Sequence, residues 1–97
     1  MASSKEYLEY VLEQLSGVEG LRCRSMMGEY LLYCRNKVVG GIYDDRLLIK
    51  ATKSARALLP DAPRELPYPG GTEMLLVTEM ENKSLLQELL EAVSKEV

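Results

Sequence analysis

Residues 21–50 read LRCRSMMGEYLLYCRNKVVGGIYDDRLLIK, and this stretch decides the fold. Runs of apolar and β-favouring residues are interrupted by three dipeptides that tolerate turn geometry, Gly28-Glu29, Asn36-Lys37 and Asp44-Asp45. We therefore predict four short strands joined by tight turns into an antiparallel meander. The third strand contains Gly40-Gly41, which predicts a bend, a bulge or a close approach of backbone.

The segment before the sheet predicts an amphipathic helix. It would begin at Ser3 or Ser4, and Ser3 with Glu6 matches a capping box. An apolar stripe at helical spacing follows, and Gly17 is a suitable residue for the end of the helix. This helix would cover one face of the sheet.

The segment after the sheet predicts two more helices and a further strand. Thr52 would cap a short helix over 53–59, and Asn82 would cap the last helix. Between them lies a proline- and glycine-rich surface connection over 60–71, followed by a strand over 74–77. The predicted class is α+β, as a single two-layer domain over residues 1–97, with one or two strands between the last two helices.

The second strand, 29–35, is apolar on both faces, which indicates a central strand or a face that meets a partner. If Gly28-Glu29 forms the turn, Cys23 lies opposite Cys34 at a hydrogen-bonded position, where disulfide geometry is poor. We therefore expect two free and mostly buried thiols. Two cysteines are also too few for a structural zinc site or a disulfide framework.

Charge is unevenly distributed along the chain, whose net charge is −3. Residues 22–56 hold eight basic and three acidic residues, whereas both flanking segments are acidic. This split is typical of solvated faces of opposite sign, and a phosphate-binding surface remains the alternative. The net negative charge argues against nucleic acid as the main partner without removing that alternative. No signal-peptide pattern or membrane-spanning apolar run is present, which favours a cytoplasmic domain with no membrane partner.

The chain contains no histidine, which removes the commonest general base and transition-metal ligand. No phosphate-loop, dinucleotide-binding or calcium-loop spacing is present. We accordingly predict no catalytic residues, no metal and no cofactor. The sequence does offer side chains suited to contact with a partner. Those we predict are Arg22, Arg24, Met26, Met27, Tyr30, Tyr33 and Lys50.

Several of these stretches resemble the N-terminal domain of the TfoX/Sxy family, bacterial regulators linked to natural competence. Residues 24–28, RSMMG, are similar to the family's Arg-x-Met-Phe-Gly-Gly, although Met27 replaces Phe and Glu29 the second Gly. Residues 44–50, DDRLLIK, are similar to Asp-Asp-x-Leu-Tyr-Leu-Lys, and Pro67-Tyr68 also fits. The resemblance implies a fold like that of secretion chaperones, which bind proteins, often as dimers. Longer members add a C-terminal helical domain, and we expect a stand-alone N-terminal domain here.

Three hypotheses follow. The first is a non-enzymatic regulatory or adaptor domain that acts through protein contacts, with a homodimer as one form. The second is a nucleic-acid binder that uses the basic sheet, with arginines and tyrosines contacting backbone and bases. The third is an enzyme for a small ligand, which would require a deep pocket enclosing Lys50 and a carboxylate.

Overall fold

The computed structural model describes residues 3–97, which form a six-stranded antiparallel sheet and three helices. In chain order the elements are α1 (Lys5–Gln14), β1 (Leu21–Met26), β2 (Glu29–Cys34), β3 (Lys37–Ile42), β4 (Leu47–Lys50), α2 (Lys53–Leu58), β5 (Arg64–Glu65), β6 (Met74–Leu76) and α3 (Lys83–Ser94). The strand order is β1-β2-β3-β4-β6-β5. The predicted α+β class and the four-stranded meander are confirmed. The predicted surface connection contains the short strand β5.

The main core lies between one face of the sheet and the three helices. Strand residues alternate between faces, so every second residue of each strand points toward the helices. The largest fully buried side chains of this core come from α1, α3 and the central strands, and include Val11, Leu32, Ile42, Leu47, Ile49, Leu86 and Leu90. Burial of this apolar surface, at roughly 25 cal/mol per Å², is the main force that holds the helices on the sheet.

The three hairpin turns share one geometry, with two central residues at positive φ. Asp44 and Asp45 have φ of 51° and 55°, which confirms the predicted third turn. The other two predictions were wrong by one residue, because the turns are Met27-Gly28 and Arg35-Asn36. Turns with two positive φ values match the right-handed twist of the strands. That requirement places Gly28 at the second central position and leaves Glu29 in β2.

The shifted first turn also changes the predicted pairing of the cysteines. Cys23 lies opposite Leu32, and Cys34 lies opposite Leu21. Both thiols are free, as expected, and Cys34 is buried. Cys23 is exposed, so the expectation of burial was wrong for this residue. It belongs to the edge strand β1, of which only Leu21 is half-buried.

The start of α1 differs from the predicted capping box. Ser4 is the N-cap, and its hydroxyl accepts a hydrogen bond from the Tyr7 amide at 3.1 Å. The hydroxyl of Ser3 instead donates to the Glu29 carboxylate at 2.6 Å. The predicted caps of the other helices are confirmed, since Thr52 caps α2 and Asn82 caps α3.

The Gly40-Gly41 pair is a site of close backbone approach, as predicted. A Cβ atom at Gly40 would lie 2.2 Å from the Leu48 carbonyl oxygen, and one at Gly41 would lie 2.6 Å from that of Tyr30. The pairing of β2 with β3 also shifts register between Leu32 and Tyr33. The glycines therefore let three strands pack tightly where the sheet is irregular.

Candidate protein-contact groove

The face of the sheet that points away from the helices is called the open face. Its side chains include Arg22 and Arg24 from β1, Leu31 and Tyr33 from β2, and Lys50 from β4, as the pairing register and strand alternation require. Only part of this face is covered by other residues of the domain. A small apolar cluster of Tyr43, Leu48 and Met74, with Leu31 and Leu76 beside it, lies on it.

Residues 66–73 run beside this cluster and separate two of the depressions on the open face. The ring centroids of Tyr43 and Tyr68 are 6.2 Å apart, and the ring planes are inclined by 59°. This tilted arrangement is a favourable one for two aromatic rings. Tyr43, Pro67 and Tyr68 line both depressions, so they form the wall between them.

The larger depression, which we call the contact groove, has a volume of about 890 Å³. It runs between the tip of the β1–β2 hairpin and the segment after β5. Its lining residues are Met26, Met27, Glu29, Tyr43, Asp44, Arg46, Leu66, Pro67, Tyr68 and Pro69. The volume is within the range usual for ligand-binding clefts, although the groove is open to solvent along its length.

The groove gathers most of the large hydrophobic side chains that residues 3–97 leave exposed. Five such side chains are exposed, and four of them line this groove: Met26, Met27, Leu66 and Tyr68. Met27 is 99% exposed, at the tip of the hairpin. Exposed apolar side chains scattered singly need no explanation, but a cluster rimmed by polar groups is typical of a surface that binds another protein.

The charged side chains of the groove differ in whether they bond to other groups of the domain. Glu29 accepts hydrogen bonds from Ser3 and from the Asp44 amide, the latter at 2.9 Å. Arg46 contacts the Glu65 carboxylate at 2.5 Å and donates through Nε to the Tyr43 carbonyl at 3.1 Å. The Asp44 carboxylate forms no ion pair within residues 3–97. Of the three charged residues of the groove, Asp44 is therefore the one whose side chain is not held by another group of the described residues.

Burial shifts the acidity of two groups near this surface. Burial, with Tyr68 and Glu29 nearby, raises the pKa of the Tyr43 hydroxyl, so this side chain stays neutral at physiological pH. Partial desolvation also raises the pKa of the thiol of the exposed Cys23, which reduces its thiolate fraction. Neither shift provides a nucleophile or a general base, since each favours the protonated form.

The smaller depression, which we call the Lys50 cavity, has a volume of about 380 Å³. Lys50 and Glu73 both line it, the combination that the enzyme hypothesis requires. The Glu73 side chain, however, is 57% exposed, and its carboxylate lies 3.8 Å from the Arg64 guanidinium. The cavity therefore lacks the buried carboxylate that acid–base chemistry needs. No cluster of three or more cysteine, aspartate or glutamate side chains within residues 3–97 could hold a metal ion.

Comparison with known proteins decides the family. The family model of the TfoX N-terminal domain matches residues 13–91. The chain belongs to the TfoX N-terminal domain family. This family is associated with the regulation of competence, and the matched range covers all of the sheet, α2 and most of α3, but only the end of α1.

This TfoX N-terminal domain also has a relative in Spirochaeta aurantia, described as an uncharacterized 12.7 kDa protein in the trpE 5′ region. The two are 33% identical over 91 residues, which is 93% of this chain and 79% of the relative. The similarity thus extends over nearly the whole domain. No helix within residues 3–97 has both the length and the hydrophobicity to cross a bilayer.

The structure places the seven predicted contact residues of this TfoX domain in four locations. Met26 and Met27 line the contact groove. Arg22, Arg24 and Tyr33 lie together at the far end of the open face, around a depression of about 410 Å³. Lys50 lines the Lys50 cavity.

Tyr30 is separated from the others, because it lies on the opposite face of the sheet and packs against the helix-side core. Leu66, Tyr68 and Asp44 also line the groove, but the sequence did not indicate them as contact residues. Leu66 and Tyr68 belong to the proline-rich segment, whose path over the sheet has no periodic signal. Four prolines within ten residues were the available sign that this segment is held in an extended form.

Proposed function

We propose that this TfoX N-terminal domain is a non-enzymatic regulatory domain that binds another protein through the contact groove. The observation that carries the proposal is the concentration of four exposed hydrophobic side chains in one groove. Methionine suits such a surface because its flexible side chain adapts to the shape of a partner. The association of the family with competence regulation supports a regulatory role rather than a metabolic one.

The charges of the groove indicate the chemistry of the partner. Because Glu29 and Arg46 are engaged within the domain, Asp44 is the charge that a partner meets. We therefore infer a partner segment with apolar side chains and a lysine or arginine that pairs with Asp44. An ion pair at the rim of a contact favours specificity and fast association more than affinity.

The test is binding by variants of the exposed groove residues. The partner is captured from the native host with the wild-type domain, purified and titrated against Met27→Glu and Leu66→Glu. We expect each variant to weaken binding by roughly tenfold or more, since a charge would be buried in an apolar contact. Equal affinity for wild type and both variants would contradict the proposal.

Two further variants sharpen this test. Tyr10→Glu is the matched control, because Tyr10 is the fifth exposed hydrophobic side chain and lies on α1 outside the groove. Asp44→Asn removes the charge and keeps the turn, because asparagine tolerates the positive φ of 51° at this position. We expect Asp44→Asn to reduce the association rate and its dependence on salt.

Light scattering during size exclusion separates a foreign partner from a second copy of the domain. A mass of two chains that falls to one in Met27→Glu would identify the partner as a second copy. A mass of one chain at high concentration would leave the foreign protein as the partner.

A second candidate function, nucleic-acid binding, is favoured by one observation. Arg22 and Arg24 project from β1 beside Tyr33, and neither arginine forms an ion pair within residues 3–97. Such an arrangement suits contact with a single strand through phosphates and base stacking. Fluorescence anisotropy with labelled single- and double-stranded DNA at two salt concentrations tests it. Salt-sensitive binding that is lost in the Arg22→Ala, Arg24→Ala double variant would support it.

A further inference from the structure

The Lys50 cavity lies between the open face of the sheet and the segment that folds over it. Val38 and Lys50 come from the sheet, whereas Pro67, Tyr68 and Thr72 come from the covering segment. Its volume of about 380 Å³ is at the lower end of the range for small-molecule sites. Apolar and aromatic walls with a small number of polar groups are also typical of such sites.

Lys50 differs from the other lysines of the chain. There are six lysines, and the other five are exposed, whereas Lys50 is half-buried. Its ammonium group nevertheless forms no ion pair within residues 3–97. A lysine that lines a cavity without an ion-pair partner can pair with the acidic group of a ligand that enters the cavity. The cavity therefore presents a cation that is not paired with a carboxylate of the described residues.

The nearby carboxylate does not supply that compensation. Glu73 lines the same cavity, but its carboxylate is not within ion-pair distance of Lys50 and lies instead 3.8 Å from Arg64. Its negative charge at the rim would repel a ligand that carries two negative charges. The electrostatics thus favour a ligand with a single negative charge and an apolar body.

We propose that the Lys50 cavity binds a small organic monocarboxylate. The carboxylate pairs with the Lys50 ammonium, and the apolar body of the acid lies against Tyr68 and Pro67. An aromatic or branched acid suits these walls, because Tyr68 is an exposed aromatic residue against which an apolar group can pack. This site adjoins the contact groove and shares the wall of Tyr43, Pro67 and Tyr68 with it, but a protein partner and a small acid would occupy different sides of that wall.

The experiment is a titration of the isotope-labelled domain followed by amide chemical shifts. Two acids, phenylacetate and isovalerate, are each compared with the amide of the same shape, phenylacetamide and isovaleramide. We expect at least one acid to give saturable shifts at Lys50, Thr52 and Thr72. Its amide should bind roughly tenfold more weakly or not at all, because the amide lacks the charge that pairs with Lys50.

Variants separate pairing with Lys50 from general electrostatic attraction. Lys50→Met should weaken binding of the acid by roughly tenfold, and Tyr68→Ala should weaken it by removing an exposed wall. Lys37→Met is the control, since Lys37 is an exposed lysine of the same sheet that does not line the cavity. The amide spectrum of each variant shows in the same experiment whether it is folded.

Three results would overturn the proposal. The first is the absence of saturable shifts with both acids in the folded wild-type domain. The second is equal affinity for an acid and its amide, or for wild type and a folded Lys50→Met. The third is a set of shifts confined to Met27 and Leu66, which would place the acid in the contact groove instead.

Discussion

The ring of Tyr43 lies directly against the backbone of Gly41, two residues before it in the chain. A Cβ atom at Gly41 would come within 2.7 Å of the ring carbon Cε2, a distance that real side chains do not adopt. Because Gly41 has no side chain, the Tyr43 ring can pack against its backbone on the open face. From that position the ring contacts Tyr68 and forms the wall between the contact groove and the Lys50 cavity.

Gly41→Ala should therefore destabilise the domain. The added methyl group would clash with the Tyr43 ring and would lie 2.6 Å from the Tyr30 carbonyl oxygen, which belongs to the paired backbone and cannot move alone. Overpacking of this kind costs typically about 1–3 kcal/mol. Urea denaturation, compared with wild type, measures the loss.

Gly17→Ala is the matched control for that substitution. A Cβ atom at Gly17 would meet only the end of the Gln87 side chain, with Oε1 at 3.2 Å, and this flexible group can move away. The effect of alanine on the entropy of the unfolded chain is the same at both positions. Comparable stability of the two variants would show that the contact with Tyr43 and Tyr30 has no energetic importance.

Glu29 joins three segments that are distant in sequence, and its truncation should loosen all of them. Its Oε1 accepts from the Ser3 hydroxyl at 2.6 Å, and its Oε2 accepts from the Asp44 amide at 2.9 Å. Hydrogen bonds to a charged group contribute roughly 1.5–3 kcal/mol, so Glu29→Ala should reduce the free energy of unfolding by about 1–3 kcal/mol. Thermal and urea denaturation measure the change.

Two glutamine variants, Glu29→Gln and Glu79→Gln, show whether lost hydrogen bonds or the change in net charge causes the destabilisation. Glutamine retains one acceptor oxygen, so Glu29→Gln should be less damaging than Glu29→Ala. Glu79 is exposed and forms no ion pair within residues 3–97, and Glu79→Gln should leave stability unchanged. A loss as large in Glu79→Gln as in Glu29→Gln would assign the effect to net charge instead.

Only one of the two cysteines should react with thiol reagents while the domain is folded. Cys23 is exposed, and Cys34 has no exposed surface and donates weakly to the Glu19 carbonyl, with Sγ and oxygen 3.6 Å apart. In native buffer we expect one thiol to react with Ellman's reagent, slowly at neutral pH because partial desolvation raises the pKa of Cys23. Cys23→Ser should remove this phase. Rapid reaction of two thiols without denaturant would be inconsistent with the structure.

Tyr43 should make the domain less stable at alkaline pH. Burial raises the pKa of Tyr43 in the folded state, whereas an unfolded tyrosine titrates near about pH 10. Above that pH the unfolded chain loses a proton that the folded state keeps, so stability falls as pH rises through the folded-state pKa. Tyr43→Phe should reduce this loss, as measured by urea denaturation at about pH 9 and about pH 11. An unchanged loss in Tyr43→Phe would contradict the assignment.

Much of the fold could be predicted from local patterns. The helices capped by Thr52 and Asn82 and the turn at Asp44-Asp45 depend on neighbouring residues, whose preferences are visible in the sequence. The close backbone approach at Gly40-Gly41 was predictable from the glycine pair itself, although the strands that approach it were not. The errors have a common source. A shift of one residue at Gly28 does not alter the local composition, yet it changes the partner of every residue in β1.

The amino-acid sequence alone determined that this chain folds as helices over an antiparallel meander, because hydrophobic periodicity, caps and turn residues act over a few positions. Only the tertiary structure decided which side chains share a surface. It brought Leu66 and Tyr68 beside Met26 and Met27, placed Tyr30 on the opposite face, and left Lys50 half-buried beside Tyr68. These relationships depend on the path of a proline-rich segment across the sheet. Its contact between Tyr68 and Tyr43 joins residues that are distant in the chain, which no local pattern records.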